Sequence, residues 1–461
     1  MRLKRSDVDM LKGPLLKSVL VYTIPIILTS LLQLFFNAAD LIIVSRYSAI
    51  KSIAMAAVSA TGSITTLIVN MFIGLSIGGG VCVAHAFGAK DDEDAHKTVH
   101  TSMLFAVLGG IFVTFVGIVF CETFLTWMGT PDTVLPLSAK YMRYYFAGAI
   151  PMLVYNFGAA ILRAVGDSKR PLYFLSSAGV VNVLLNLLFV IGFKMDVDGV
   201  ALATTLSQTM AAALVVMTLM KREDACRLII KKLKIYKAQF LKMLKIGLPA
   251  GIQGCIFSIS NVIIQSSINS FGDIVMRGNG AASNIEGFVY NIMNAFQQTA
   301  LNFIGQNMGA KNYGRIRKIM WTCLGCVAVA GLVFGNAAFL GGKWLLRIYI
   351  TDMPEAIPYG LLRMSFIAVP YLLLGTLDVM TGALRGAGRS VSAMVITIAG
   401  VVGIRLVWIF TIFQLPQFHS LASLYVSYPI SWAITLLIEF VYFIRVSGKL
   451  LREKQLEEIT N

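Results

Sequence analysis

The sequence predicts an all-α integral membrane protein with twelve transmembrane helices in two pseudo-symmetric six-helix lobes. Three observations lead to this fold class. Hydrophobic residues make up 57% of the 461 residues and charged residues only 13%, whereas soluble domains carry about 25% charged residues. Apolar runs of about 20 residues, the length that crosses a bilayer, recur along the whole chain. Several short motifs occur twice at a nearly constant shift, which indicates an internal repeat.

Each predicted span is an apolar segment bounded by Lys/Arg clusters, Gly/Pro or a short polar turn. The spans are 18–43, 56–84, 99–121, 138–162, 172–193, 198–220, 243–270, 281–308, 318–341, 358–384, 391–413 and 419–446. The first begins behind "MRLKR", is longer than a signal-peptide core and has no small-residue cleavage site, so we expect it to be retained as a helix.

A long basic stretch near the middle of the chain suggests the domain boundaries. We expect an amino-terminal six-helix lobe at 1–220, a basic cytoplasmic linker at 221–242, a carboxy-terminal six-helix lobe at 243–446 and a cytoplasmic tail at 447–461. The stretch "KREDACRLIIKKLKIYKAQFLKMLK" is typical of a linker with an interfacial amphipathic helix, and binding of anionic lipid is the functional alternative.

The formal net charge of +16 does not indicate a nucleic-acid partner, because the positive residues are placed on one side of the spans. Most of the 39 Lys and Arg residues fall at the amino terminus, in the loops on the same side and in the tail. Cytoplasmic loops carry this excess in membrane proteins. We therefore expect a multi-pass protein of the plasma membrane, monomeric and surrounded by lipid, with both termini in the cytoplasm.

The repeated motifs relate the two halves of the chain. They are "AFGAKD" at 86–91 with "NMGAKN" at 307–312, "LRAVGDS" at 162–168 with "LRGAGRS" at 384–390, and "AGVV" at 178–181 with the same letters at 399–402. Because six crossings return the chain to its starting side, the lobes should share an orientation, an arrangement typical of transporters. We expect the glycines of "GAK" and "LRxxG" to take the left-handed conformation that ends a helix.

At these elements the sequence resembles the multidrug and toxic compound extrusion (MATE) family over essentially the whole chain. The shared motifs are an early "IP" helix, "FGAKD", "GQNMGAKN", "ILRAVGDSKRP", "ALRGAGRS" and "NVLLN". The resemblance implies twelve helices in two lobes and efflux of amphipathic, often cationic compounds coupled to Na⁺ or H⁺. It implies no other cofactor.

The stretch "FFNAADLIIVSR" places a carboxylate, Asp40, in the apolar run of the first helix. A charge at mid-membrane costs about 2.5–3.5 kcal/mol on insertion scales, so such residues usually face a bundle interior or a wet cavity. Gln33 and Asn37 fall on the same helical face as Asp40. We expect this face to line a substrate cavity.

The fifth and sixth helices carry polar groups at helical spacing. Asn182 and Asn186 are four residues apart, as are Thr204 and Gln208. Together with Asp40 their oxygens suit either an Na⁺ site or a pocket in which the carboxylate takes up and releases a proton.

The family resemblance adds detail to this site. In archaeal and DinF-like members the amino-lobe site comprises an Asp of the first helix, an Asn of the fourth, an Asn and an Asp of the fifth and a Thr of the sixth. The matching positions here hold Asp40, Asn156, Asn182 and Thr204. Asn186 stands in place of the second Asp, which leaves Na⁺ and H⁺ both open. No other metal is expected.

The carboxy lobe offers a second candidate site for coupling or substrate, centred on Asp378, the repeat counterpart of Asn156. Three amides of the eighth helix join this candidate: Asn291, Asn294 and Gln298. Two amides of the seventh helix are expected to line the substrate cavity: Asn261 and Gln265. Hydrogen bonding between helices is the alternative for each amide. Glu286 and Glu439 lie near the ends of their spans, where contact with solvent or lipid headgroups is an equal alternative.

The leading hypothesis is a secondary active antiporter that exports amphipathic or cationic drugs and toxic compounds in exchange for H⁺ or Na⁺. The alternative is a flippase or exporter of a lipid-linked or other endogenous metabolite. The major-facilitator family is disfavoured, since the loop "GAKDDEDAHK" lacks the Gly-Asp-Arg pattern of that family. An enzyme is not expected, because we find no Asp-x-x-x-Asp, His-Glu-x-x-His or Gly-x-Ser-x-Gly constellation.

Overall fold

The computed structural model describes residues 7–47, 51–351 and 353–460, and this part of the chain is helical without a strand. A helix satisfies its own backbone hydrogen bonds, as hydrocarbon requires. We label the membrane helices α1 to α12. Their bounds are α1 Leu15–Tyr47, α2 Lys51–Ala89, α3 Asp92–Val119, α4 Leu135–Ala147 with Ala149–Ala164, α5 Lys169–Leu187 with the π-helical turn Leu188–Gly192, α6 Val197–Met220, α7 Lys237–Asn269, α8 Asp273–Gly309, α9 Tyr313–Ala330 with the π-helical turn Gly331–Gly335 and Asn336–Leu340, α10 Ile357–Ile367 with Tyr371–Gly386, α11 Ser390–Thr397 with the π-helical turn Ile398–Gly403 and Ile404–Phe410, and α12 Leu421–Thr460.

The twelve predicted spans correspond one to one with α1–α12. Among the described residues nine helices are long and apolar enough to cross a membrane, and α4 and α10 each pass the same test as a bent pair. The remaining helix, α8, has 37 residues but carries many amide side chains, which lower its hydropathy. The predicted all-α membrane fold is confirmed. The predicted tail is not a separate segment, since α12 continues to Thr460.

Two spans that the sequence predicts as continuous helices are bent. The halves of α4 meet at 45° and those of α10 at 48°. Pro151 comes just after the first break and Pro370 lies at the second. A proline ring clashes with the carbonyl four residues earlier, which is that of Ala147 for Pro151 and that of Phe366 for Pro370. The first halves end at Ala147 and Ile367, so the bends lie where the prolines interrupt the helices.

The repeated motifs form the same helix ends in both halves. In "LRxxG" the left-handed residue is the glycine, with φ of 99° at Gly166 and 75° at Gly388, as expected. In "GAK" it is the lysine, with φ of 57° at Lys90 and 52° at Lys311, so the expectation of a left-handed glycine is wrong there. Asp91 N–H donates to the Ala86 carbonyl at 3.0 Å, and Asn312 N–H donates to the Asn307 carbonyl at 2.9 Å. This helix-ending bond requires the left-handed conformation at the residue before its donor, which is the lysine in both copies.

The chain divides into two compact units, both discontinuous in sequence. Unit 1 consists of Met1–Val8 and Leu28–Gly251, and unit 2 of Asp9–Ile27 and Ile252–Asn461. The boundaries therefore fall inside α1 and α7 rather than in the linker.

Small and hydroxylated side chains hold the first part of each divided helix. Within unit 2 the hydroxyls of Thr23 in α1 and Thr299 in α8 are 2.8 Å apart. Within unit 1 a Cβ on Gly78 in α2 would lie 2.6 Å from the nitrogen of Gly247 in α7. Backbones approach this closely only where side chains are small.

The helix predicted in the basic stretch is the start of α7, from Lys237, rather than a separate interfacial element. The described backbone of the linker before it forms only a 3₁₀ turn, at Ile230–Lys232. The side chains of α3 accept its backbone hydrogen bonds instead: Ile229 N–H donates to His100 Nε2 at 3.0 Å, and Tyr236 N–H donates to Thr101 Oγ1 at 3.1 Å. These bonds compete with a helical conformation.

We predict that Gly166→Ala destabilises the protein more than Gly129→Ala. Both glycines have positive φ, 99° and 71°, and both precede a residue whose N–H bonds to the carbonyl five residues earlier, so a side chain costs about 1–2 kcal/mol at each. Only at Gly166 would the new Cβ also meet backbone, 2.5 Å from the Val8 carbonyl oxygen, while the space at Gly129 is open. Thermal unfolding of both variants in the same detergent measures the difference, and equal shifts in Tm would contradict the assignment.

Candidate functional site

Hydrogen bonds join the predicted amino-lobe residues into a chain across α1, α5 and α6. Asn186 Nδ2 donates to Asp40 Oδ1 at 2.5 Å and lies 3.3 Å from Asn182 Oδ1. Asn182 Nδ2 in turn donates to Thr204 Oγ1 at 3.3 Å. The structure therefore brings together four of the five residues that the sequence assigned to cation coupling.

A glycine lets α1 and α5 approach closely enough for these bonds. A Cβ on Gly179 would lie 1.8 Å from the Phe36 ring, so the ring occupies the space that any larger residue would need. Gly179 belongs to the repeated "AGVV" motif. Its counterpart Gly400 plays the same role in the second half, where a Cβ would lie 2.1 Å from Thr435 Oγ1 in α12.

A cavity of about 50 Å³ adjoins this chain within unit 1. Its described lining residues are Gln33, Phe36, Asn37, Asp40, Leu175, Ala178, Gly179, Asn182, Thr204, Ser207 and Gln208. Gln33 and Asn37 thus share a cavity with Asp40. Asn156 does not line this cavity in the described part of the chain, and its amide donates to the Met152 carbonyl of its own helix at 2.8 Å.

The size and chemistry of this cavity suit an ion better than a drug. Drug-sized ligands occupy pockets of about 300–1,000 Å³. Two buried amide oxygens at the site, Asn186 Oδ1 and Gln208 Oε1, accept no hydrogen bond from any described residue. Gln208 and Asp40 line the cavity and Asn186 is bonded to Asp40 beside it, so the site offers the oxygen ligands that a hard cation prefers.

Unit 2 contains a larger cavity, of about 380 Å³, which falls in the range for small-molecule ligands. Four charged residues of the described chain line it: Glu286, Arg363, Asp378 and Arg405. Five aromatic residues also line it: Phe257, Tyr290, Tyr371, Tyr428 and Trp432. The predicted Asn261 and Gln265 line this cavity as well, beside the predicted Asp378.

A buried ion pair lies in the wall of this cavity. Arg363 Nη2 donates to Glu286 Oε2 at 2.7 Å, and Arg363 Nε lies 3.1 and 3.2 Å from the two carboxylate oxygens. Arg363 Nη1 donates to Asn279 Oδ1 at 2.8 Å, and the Tyr425 hydroxyl donates to the same oxygen at 3.1 Å. Such complete pairing is what makes a buried charge tolerable.

A second group of buried charges surrounds Asp378. Arg385 lies close enough to act on it electrostatically and donates from Nη2 to Gln253 Oε1 at 2.9 Å. Asp378 Oδ2 is buried and accepts no hydrogen bond from the described residues. Glu439, also close to Arg385, accepts hydrogen bonds from Thr381 and Thr397 at 2.9–3.1 Å.

The structure decides between the alternatives left open for two acids and contains two arginines that the sequence reasoning missed. Glu286 is 3% exposed and Glu439 0% exposed, and both have hydrogen-bond partners inside the protein, so neither is a surface group. Arg363 and Arg405, in "LLRMSF" and "GIRLVW", were not singled out, although each interrupts an apolar run as Asp40 does. The same rule for intramembrane charges would have found both arginines.

The three predicted amides of α8 do not line the large cavity in the described structure. Asn291 donates to the Gly287 carbonyl of its own helix at 2.8 Å. Gln298 donates to Asn294 at 3.0 Å, and Asn294 donates to Gln297 at 2.8 Å, so these side chains bond along α8.

No group of three or more His, Cys, Asp or Glu side chains in the described residues could hold a metal ion. The sites above depend on single carboxylates, amides and guanidinium groups. Such groups bind and release ions and small molecules, and they form no catalytic constellation with a nucleophile and a base.

The twelve helices, two repeated halves and polar cavities define the class of protein, a multi-pass membrane transporter. The comparison with known proteins gives the family. The MatE family profile matches residues 25–188 and 249–411, most of the chain. The chain belongs to the MATE family, whose members are transporters and not enzymes.

Known relatives and structures agree with this assignment. The chain is 26% identical over 436 residues to the probable multidrug resistance protein YoeA of Bacillus subtilis, covering 93% of each chain. It is 29% identical over 392 residues to YpnP of the same organism, also described as a probable multidrug resistance protein, covering 85% of this chain and 86% of that one. The fold superposes with a TM-score of 0.89 and 18% identity on an outward-facing MATE-family transporter, covering 98% and 100% of the two chains.

We predict that Glu286→Gln destabilises the protein by about 3–5 kcal/mol, because it leaves the Arg363 charge buried without its counter-ion. The double variant Glu286→Gln/Arg363→Met should recover a large part of this loss. The free energy of unfolding by denaturant in micelles measures both effects.

The matched control for this prediction is Glu122→Gln. Glu122 pairs with Arg143 at 2.8 Å, but both side chains are about half exposed, so the loss should be about 1 kcal/mol or less. An equal loss for the buried and the exposed pair would show that burial of the pair is not what matters.

Proposed function

We propose that the protein is a secondary active antiporter that exports amphipathic or cationic organic compounds in exchange for H⁺ or Na⁺. The observation that carries the proposal is the bonded chain from Asp40 through Asn186 and Asn182 to Thr204 beside a cavity of ion size. Membership of the MATE family and the names of the two Bacillus relatives support export of drugs.

The geometry suggests how ion binding would act on the helices. When Asp40 carries its charge, it is held by the Asn186 amide, which also faces Asn182. A proton or Na⁺ on Asp40 removes the charge that attracts this amide, so the bonds between α1, α5 and α6 can rearrange. Coupling follows if the rearranged state binds the exported compound with a different affinity.

Asp40 is the only carboxylate among the residues that line the small cavity in the described chain. DinF-like members have a second Asp where this chain has Asn186, so we place the site near that branch but with one formal charge. Asn156 would enter the site only through a change in its side-chain bonding, because its amide is bonded to its own helix.

The large cavity of unit 2 is the proposed place for the exported compound. Asp378 supplies a carboxylate for a cationic group, and Asn261 and Gln265 supply amides. Aromatic faces attract cations and adapt to flat molecules. Asp378 could also serve as a second coupling residue, since one of its oxygens has no bond in the described structure. The amides Asn291, Asn294 and Gln298 do not line this cavity and would contribute to it only if their bonds along α8 changed.

The remaining features of the proposal concern the setting of the transporter. We propose that both termini lie in the cytoplasm of a plasma-membrane protein that acts as a monomer. The lobes at 1–220 and 243–446 would move against each other during transport, as in other two-repeat transporters.

We predict that Asp40→Asn abolishes gradient-driven transport while the variant still inserts and folds, because an amide cannot gain and lose charge. Uptake of a fluorescent organic cation into proteoliposomes under an imposed proton or sodium gradient is the measurement. The wild type in the same assay identifies the coupling ion. Asp132→Asn, which changes an exposed carboxylate in the same way, is the control and should transport normally. Undiminished gradient-driven transport by the Asp40 variant would contradict the assignment of ion coupling to Asp40.

We predict that Asn186→Asp increases the affinity for Na⁺, because a second carboxylate would then lie beside Asp40 in place of the amide, and two negative charges attract the cation more strongly than one. Binding of radioactive sodium to the purified protein measures the change. Asn312→Asp, at a loop distant in sequence from this cluster, is the control for the added charge. If both variants bind sodium as the wild type does, the single charge of the site does not set its ion preference.

A further inference from the structure

Arg405 in α11 is a buried cation at the wall of the large cavity. It is 6% exposed and is one of the residues that line the cavity. Its guanidinium carbon lies 4.0 Å from the Tyr428 ring centroid and 5.5 Å from that of Trp432. Arginine stays protonated in proteins, so this site holds a permanent positive charge.

One nitrogen of the Arg405 guanidinium has no hydrogen-bond partner in the described structure. Nε donates to Ser431 Oγ at 3.0 Å, but Nη2 is buried and donates to no described residue. No carboxylate of the described chain forms an ion pair with Arg405. The other two buried arginines in this unit differ, since Arg363 is paired with Glu286 and Arg385 lies near both Asp378 and Glu439. Buried donors are rarely left without a partner, so the free edge of Arg405 is suited to a ligand.

A π-helical turn in α11 explains why Arg405 faces the cavity. The repeat shift of 221 puts Arg405 opposite Leu184 of α5, and Leu184 is 60% exposed on the outside of its unit. In α11 the π-helical turn Ile398–Gly403 comes before Arg405, whereas in α5 the turn Leu188–Gly192 comes after Leu184. One extra residue in a turn rotates all later residues of the helix by about 100°. The position that faces outward in the first half therefore faces inward in the second.

We propose that Arg405, Tyr428 and Trp432 form a subsite for the anionic group, a carboxylate or a phosphate, of an aromatic substrate. The planar guanidinium matches both anions with two parallel N–H donors. Glu286 does not oppose an incoming anion, because Arg363 neutralises it. The subsite rests on the proposed function, in which this cavity receives the exported compound, and it extends the substrate class from cations to aromatic anions.

The competing explanation is that Arg405 only holds α11 against α12 through Ser431 and the Tyr428 ring. A purely structural arginine would contribute to stability but would not distinguish an anionic ligand from a neutral one of the same shape. The test therefore compares ligands that differ in charge and not in outline.

Calorimetric titration of the full chain in phosphatidylcholine nanodiscs tests the subsite, since this lipid has no net charge and competes less with the probe than an anionic lipid would. The probes are 1-naphthoate, 1-naphthyl phosphate and the neutral 1-naphthamide. We expect the wild type to bind at least one anion roughly tenfold to a hundredfold more tightly than the amide, the effect of a charge-assisted hydrogen bond. The anion that binds more tightly shows whether the subsite prefers a carboxylate or a phosphate. Equal binding of all three probes by the wild type would overturn the proposal without any variant.

Variants then test whether the preference for anionic probes depends on Arg405. Arg405→Gln should remove it, and Arg405→Lys, which keeps the charge but not the two-pronged donor, should keep part of it. Arg389→Gln, an exposed arginine exchanged in the same way, should keep all of it. A folded Arg405→Gln protein with an unchanged preference overturns the subsite. If the wild type transports the organic cation but shows no preference for anions, this inference is overturned and the antiport proposal stands. If the preference for anions depends on Arg405 but no gradient-driven transport is found, the antiport proposal is overturned and the anionic subsite stands.

Discussion

The structure depends on one constraint: a charge that leaves water for a membrane interior must find a partner inside the protein. The buried charges of this chain meet that constraint to different degrees. Glu286 and Arg363 satisfy each other completely, and Glu439 is held by two threonines. Asp40 has one amide donor, and Arg405 has one hydrogen bond and a ring face. The fully paired groups hold helices together, and the partly paired groups are the ones to which we assign ligands in our proposals.

Much of the fold could be predicted from the sequence because the bilayer imposes simple rules. Apolar length indicated twelve helices, and the polar face of α1 put Gln33 and Asn37 beside Asp40, where the three residues line one small cavity. Features that depend on contacts distant in sequence could not be derived in this way. Glu286 and Arg363 are 77 residues apart, and nothing in either local stretch indicates their pairing.

Local backbone geometry set a second limit on prediction. The left-handed residue of "GAK" is a lysine, although glycine is the usual choice for that conformation. The π-helical turns leave no signature in a hydrophobic pattern, yet they change which side chains face inward. Asn156 illustrates a further limit. It occupies a site position of the family, but its amide is bonded within its own helix, and the direction of a side chain cannot be predicted from a sequence match.

The two halves began as copies and now carry different chemistry. At the repeat shift of 222 Asp378 stands where the first half has Asn156, and at the shift of 221 Arg405 stands where it has Leu184. The first half has its carboxylate on α1 beside a cavity of about 50 Å³, and the second has Asp378 and Arg405, an arginine without an ion-pair partner among the described residues, around a cavity of about 380 Å³. Because a cavity of the first size admits an ion and one of the second size admits an organic molecule, divergence of the copies would assign the two tasks of the proposed antiporter to different halves of the chain.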